Sequence, residues 1–235
     1  MPVSTPAWRD SPVPADLRGL WRRLSIEYPD GGGDLGTEVL WLQAGRLFAD
    51  IRVPPARKAI RPAGFADLDS ASAAALAAQE AFAGTLRWTP DACCWVRLID
   101  FHPPGASPDK GTWQRTRRVL VEGGLHADYV EHWWQDIAGP LPADASGQAA
   151  DGRITVRVGD RVMTAIDRRP APPPADFAAA VARAASAGDV AALTALLDCE
   201  ISYGVAEAGG RWRVMLSTLP WCEGEVRALP EELRG

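Results

Sequence analysis

Polar residues in this sequence alternate with aromatics in three stretches: Trp41, Gln43, Phe48, Asp50 and Arg52; then Trp95 and Arg97; then Tyr129, Glu131 and Trp133. On an extended chain, residues two apart share a face, so each stretch presents an aromatic side carrying a few charges. Such a wall suits a small-molecule cavity, where apolar area supplies affinity and arginine or carboxylate fixes orientation. The same groups also suit a satisfied internal network, with Arg52 and Arg97 answering Asp50 and Glu131. A second set, Asp100, His102, His126 and Asp128, supplies acid–base pairs if strand ends converge, and Glu131 and His132 are further candidates. His126 and His132 lie about 20 Å apart on an extended strand, too far to share one metal. The four cysteines, Cys93, Cys94, Cys199 and Cys222, form no metal-spaced pattern and read as buried thiols, so no metal site is expected. There is no Gly-x-Ser-x-Gly elbow, Walker A loop or HExxH pair. Gly31–Gly33 lacks the Lys-Ser/Thr continuation of a phosphate loop and reads as a turn.

The elements that must position these residues are short alternating segments separated by turn chemistry. A first strand is expected over 18–28, ended by Pro29-Asp30-Gly31. Hairpins follow at 37–43/46–53 around Ala44-Gly45 and at 82–88/93–101. Residues 111–122 and 125–137 read as two long strands hinged at Gly123-Gly124. Two late hairpins turn at Gly159-Asp160 and Gly209-Gly210. The alanine-rich run over 67–81 predicts a helix, and 176–198 predicts two, with Gly188 as C-cap and Asp189 as the next N-cap.

The expected fold is therefore mainly β, a closed antiparallel barrel of about ten strands with those helical additions. One barrel domain is expected over 17–228, with the helical insertion at 175–198, a flexible arm at 1–16 and a tail at 229–235. Net charge is −5, which disfavours a nucleic-acid partner. No apolar run approaches the roughly 18 residues of a membrane span, and the first residues lack signal architecture, so a cytoplasmic protein is expected. Ten tryptophans are present; Trp133-Trp134 and Trp221, or the two-helix segment, are candidate protein-contact surfaces if exposed.

Gly19-Leu20-Trp21 on the first strand matches the G-x-W mark of the lipocalin and calycin barrels, and Ala127-Asp128-Tyr129 resembles their T-D-Y turn. Trp41-Leu42-Gln43 with Asp50-Ile51-Arg52, and Asp100-Phe101-His102-Pro103-Pro104, are similar to an uncharacterised bacterial and fungal group of lipocalin-like proteins. The resemblance covers most of residues 17–167. It implies a lipocalin-like barrel in which Arg211 or Arg213 packs on the first-strand Trp21, and it implies no established activity. From the aromatic, charge-bearing strand faces the expected role is binding of a small, partly aromatic or acidic molecule in the barrel. An isomerase, cyclase or lyase using the same cavity is the alternative. No cofactor is expected. A haem in the manner of the nitrobindin barrels, on one of the three histidines, is the alternative.

Overall fold

Which side of each strand is aromatic and which aliphatic decides how the layers stack. The computed structural model describes residues 7–234. Its first sheet contains β1 (Gly19–Glu27), β2 (Gly33–Asp34), β3 (Glu38–Ala44), β4 (Leu47–Val53), β5 (Glu80–Trp88), β6 (Ala92–Asp100), β7 (Asp109–Thr116), β8 (Val119–Gly124) and β9 (Val130–Ala138). Neighbours pair antiparallel in the order β2-β1-β3-β4-β5-β6-β7-β8-β9, and β1 also pairs with β9. The sheet thus closes into an eight-stranded barrel, with β2 as a short flap on β1. Closure gives each of the eight barrel strands a partner on both sides, although β6 meets β7 only over Ala92–Trp95.

The aromatic faces point inward. Trp21, Trp41, Phe48, Phe82, Trp95, Trp113 and Trp133 form one buried cluster inside the barrel. The aliphatic faces point outward yet remain dry, since Leu40, Leu42, Ala49, Ile51 and Val53 belong to a different buried cluster. A second sheet covers them. It is a meander of β10 (Ala145–Gln148), β11 (Ile154–Val158), β12 (Arg161–Asp167), β13 (Cys199–Glu207), β14 (Arg211–Ser217) and β15 (Val226–Ala228). Ile154, Val156, Val158, Met163, Ala165 and Ile201 pack from this sheet against the barrel wall. Each fully buried Ile, Val or Met side chain among them contributes about 1.5–3 kcal/mol.

The structure thus corrects the expected ten-strand barrel: eight strands close, and the two late hairpins belong to the covering sheet. A second correction concerns 111–122. That stretch is not one strand but β7 and β8, folded back at Arg117-Arg118 with Arg117 at φ 54°. Gly124 ends β8, and Ala127-Asp128-Tyr129 lies in the turn between β8 and β9. Arg211 and Arg213 do not reach Trp21; both lie on β14, where Arg213 pairs with Glu207.

Four helices complete the fold: α1 (Pro55–Lys58), α2 (Ser70–Ala77), α3 (Phe177–Ser186) and α4 (Val190–Leu197). The helix expected over 67–81 is shorter, because Glu80 and Ala81 already pair in β5; Asp69 caps it by accepting from the Ser72 amide at 2.7 Å. Gly188 at φ 64° separates α3 from α4, and Asp189 caps α4 through the Ala192 amide at 2.9 Å. Leu76, Phe177, Val181, Leu193 and Leu197 bury these helices in the shared aliphatic core.

Of the expected N-terminal arm, residues 1–6 lie outside the described residues. Arg9 pairs with Trp88, and the Val13 amide donates to the Gly45 carbonyl at 2.9 Å. Trp21 Nε1 donates to the Leu17 carbonyl at 2.9 Å, so residues 13–17 plug one end of the barrel. At the other end of the chain, Leu229 and Leu233 are buried with Trp212 and Val162 behind the second sheet.

Candidate functional site

The barrel interior is layered from the plugged end toward the open one. Trp21 stacks on Trp41 with ring centres 5.5 Å apart, and Trp41 meets Trp95 and Trp133 edge-on at 4.7 and 5.8 Å. Phe48 stands edge-on to Trp95 at 4.8 Å and to Phe82 at 5.9 Å. Gln43 accepts from Trp41 Nε1 at 3.3 Å and donates to the Gly45 and Leu47 carbonyls, which satisfies a buried amide.

Above this aromatic floor lies an ionic layer. Arg52 donates to Asp50 at 2.9 Å and to Glu131 at 3.4 Å. Arg23 donates to Glu131 at 2.8 Å and to Asp34 at 3.0 Å. Burial pushes the Asp50 carboxyl up to about 6, although Arg52 pulls the other way. Directly across the β8–β9 pair from Glu131 sits a second buried carboxyl, Glu122. Among the described residues Glu122 forms no ion pair. It accepts from Trp95 Nε1 at 3.1 Å and lies 3.8 Å from Cys93 Sγ and 3.5 Å from the Tyr129 hydroxyl. Burial, reinforced by the charge of Glu131, pushes Glu122 up to about 8, so it holds its proton at neutral pH. Burial and the neighbouring Glu122 likewise raise Tyr129, which stays a phenol.

The open end carries a cleft of about 1080 Å³ between the β6–β7 loop, the β8–β9 turn and the proline-rich segment after β12. Trp95 reaches it from the barrel interior, Arg97 from the end of β6 and Tyr129 from the β8–β9 turn. Arg97 lies flat over Phe82, 3.6 Å from the ring centre, and is held by Asp100 at 3.0 Å and Asp109 at 2.6 Å. Burial raises Asp100 against the opposing pull of Arg97. Arg169, at the end of β12, grips Asp167 at 2.8 Å and donates to the Phe101 and Asp100 carbonyls at 2.9 and 2.6 Å. The cleft rim is thereby tied to the second sheet. A smaller hollow of about 250 Å³ beside Trp88 and Trp113 at the plugged end is below the size of most ligand pockets.

The ten residues expected to line a cavity thus divide by depth. Trp41, Gln43, Phe48 and Trp133 pack in the floor, Asp50, Arg52 and Glu131 form the ionic layer, and Trp95, Arg97 and Tyr129 line the cleft. Of the acid–base candidates, Asp100, His102 and His126 line the cleft, while Asp128 is exposed in the β8–β9 turn. His102 Nε2 is 2.8 Å from the Gln79 carbonyl, and His132 Nδ1 is 3.1 Å from the Ser25 hydroxyl. Trp133 is buried, Trp134 is exposed, and Trp221 packs on Phe65 at 4.7 Å. All four cysteines are buried and unpaired. Among the described residues no cluster of histidine, cysteine and carboxylate has the geometry of a metal site, and no helix is long and apolar enough to cross a membrane.

Sequence reasoning missed Glu122, Asp109 and Arg169. The signal for Glu122 is its spacing from Trp113 once the turn at 117–118 is known: the register pairs Trp113 with Glu122, which places both inside. Comparison with protein-family models, curated proteins and solved structures finds no match for this chain.

Proposed function

We propose that the protein is a lipocalin-like barrel that binds a small, partly aromatic or acidic molecule in the cleft at its mouth. The observation that carries this reading is the cleft itself. Its volume of about 1080 Å³ accommodates a drug-sized ligand, and Trp95, Tyr129 and Arg97 bring aromatic and cationic groups to its lining. Placing Gly19-Leu20-Trp21 at the start of β1 and Ala127-Asp128-Tyr129 in a turn also agrees with the lipocalin resemblance. Native mass spectrometry of protein purified from its own host, with an absorbance scan, tests the reading. A reproducible extra mass is expected; protein that is ligand-free in repeated preparations counts against it. Arg97→Leu is expected to weaken binding of that ligand about tenfold or more while the far-ultraviolet circular dichroism stays unchanged. Unchanged affinity would remove Arg97 from the site.

A second reading, an enzyme that moves protons on the bound molecule, is favoured by Asp100. This carboxylate lines the cleft, is raised by burial, and shares the lining with a phenol that stays protonated. In that case Asp100→Asn abolishes conversion of the recovered ligand, followed by product mass, while leaving its binding. A ligand recovered unchanged after long incubation with the wild-type protein excludes this second reading.

A further inference from the structure

The charges around the cleft cancel. Arg97, Lys110 and Arg169 on its lining are matched by Asp100, Asp109 and Asp167, and the close pairs leave both arginines engaged. In the layer below, Arg23 and Arg52 answer Glu131 and Asp50. A carboxylate entering this cleft gains Arg97 or Arg169 only by breaking an existing pair, and Lys110, the lining cation outside those pairs, holds its ammonium over the Trp8 ring, 5.5 Å from the ring centre.

What the site leaves unanswered is a hydrogen bond. The Tyr129 hydroxyl stands 3.5 Å from Glu122 Oε1, far beyond the usual hydroxyl–oxygen separation of about 2.7–2.8 Å. Glu122 Oε1 already accepts from Trp95 Nε1. Tyr129 is therefore an underused donor, and it lies on the cleft lining beside the indole of Trp95 and the half-exposed Leu98. Its position is built into the wall. Gly111 and Gly124 are register partners on β7 and β8. A Cβ on Gly111 would stand 2.7 Å from Glu122 Oε1, and one on Gly124 would meet the Ala127 carbonyl oxygen at 2.1 Å and the Tyr129 ring at 2.6 Å. The glycine pair leaves the space that these two side chains fill.

We infer that the cleft selects an uncharged, planar molecule bearing a carbonyl or hydroxyl oxygen, which hydrogen-bonds to Tyr129 while its ring lies against Trp95. This rests on the cleft being the binding site, and it narrows the ligand from aromatic or acidic to aromatic and neutral. Glu122 acts as a positioning residue behind Tyr129. It faces Cys93 and Trp95 of β6, Asp109 of β7, Tyr129, Glu131 of β9 and Arg52 of β4. While Glu122 is a neutral acid its pull on the phenol is weak. Once ionised, it draws the hydroxyl toward itself and away from the ligand.

Coumarin, a neutral lactone, and coumarin-3-carboxylate, its anionic relative, test the inference by calorimetry and by the ¹⁵N indole resonance of Trp95, assigned with Trp95→Phe. Coumarin is expected to shift the Trp95 resonance and to bind at least about tenfold tighter than the carboxylate. Tyr129→Phe is expected to weaken coumarin about tenfold. Wild-type affinity should fall as pH rises through about 8, and Glu122→Gln should abolish that fall. A carboxylate that shifts Trp95 and binds as tightly as coumarin overturns the inference and leaves the cleft as the binding site. If neither probe shifts Trp95 at millimolar concentration, the inference falls. The extra mass in host-purified protein then decides separately whether the cleft reading falls with it.

Discussion

A carboxyl buried opposite a second carboxylate, with no cation of its own, lowers its energy by keeping its proton. Glu122 does so, while Glu131 takes both arginines. This has a thermodynamic consequence. The unfolded chain releases the Glu122 proton near its ordinary value of 4.5, and the native protein retains it to about 8. Asp50 behaves alike between 3.8 and about 6. Between those limits the native state binds more protons, so stability falls as pH rises. Glu200 has the opposite sign: burial opposes ionisation, but bonds from Arg168, Arg227 and Ser202 hold it below 4.5, and its contribution is lost as pH falls further. The melting temperature is therefore expected to peak near pH 4 and decline toward pH 8.5. Glu122→Gln should flatten the decline and raise stability at pH 8.5 by about 2–4 kcal/mol. A melting profile indifferent to that substitution would mean that Glu122 is ionised throughout. At this scale the sequence was partly legible. Period-two spacing alone groups Trp95, Arg97 and Tyr129 with the aromatic faces, and all three line the cleft. It does not group Glu122 with them, because a turn inserted at Arg117-Arg118 reverses which alternate residues face inward.

Among the elements, those closed by capping chemistry were easiest to read. Gly188 and Asp189 mark the break between α3 and α4 where a left-handed residue and an N-cap are needed. Asp189→Ala is expected to cost about 1 kcal/mol, measured by denaturant unfolding. No change would mean that packing of Leu193 and Leu197 alone holds α4 in place. The β7–β8 turn escaped notice for the converse reason. It places Arg117 at φ 54°, a conformation usually given to glycine or asparagine, while the nearby Gly123-Gly124 mimics a turn without being one. There Gly124 provides room for the Tyr129 ring. Glycine marks missing volume as often as it marks a bend, and sequence does not distinguish the two.

For the whole molecule, alternation identified hairpins but not which sheet each would join. Barrel closure depends on β1 meeting β9 across more than a hundred residues, a pairing with no local signal. A clue did exist in β3 and β4, where Trp41-Leu42 and Phe48-Ala49 leave neither face polar, as expected of a wall buried on both sides. Ile154, fully buried between the layers, tests that reading: Ile154→Ala should cost about 2–4 kcal/mol in unfolding free energy. A cost below about 0.5 kcal/mol would mean that the layers barely depend on each other. The cover is also one-sided. β11 to β13 lie along β3 to β6, whereas Thr112, Gln114, Val130 and Trp134 leave the outer surface of β7 and β9 in solvent. A cylinder splinted along half its circumference bends only along the other half. Deuterium should therefore enter the amides of β7 and β8 before those of β3 and β4; uniform exchange would show no such asymmetry. The cleft lies where the two halves meet: the end of β6 and residues 169–173, tied together through Arg169, form its braced side, and the β8–β9 turn bearing Tyr129 forms the side without a splint.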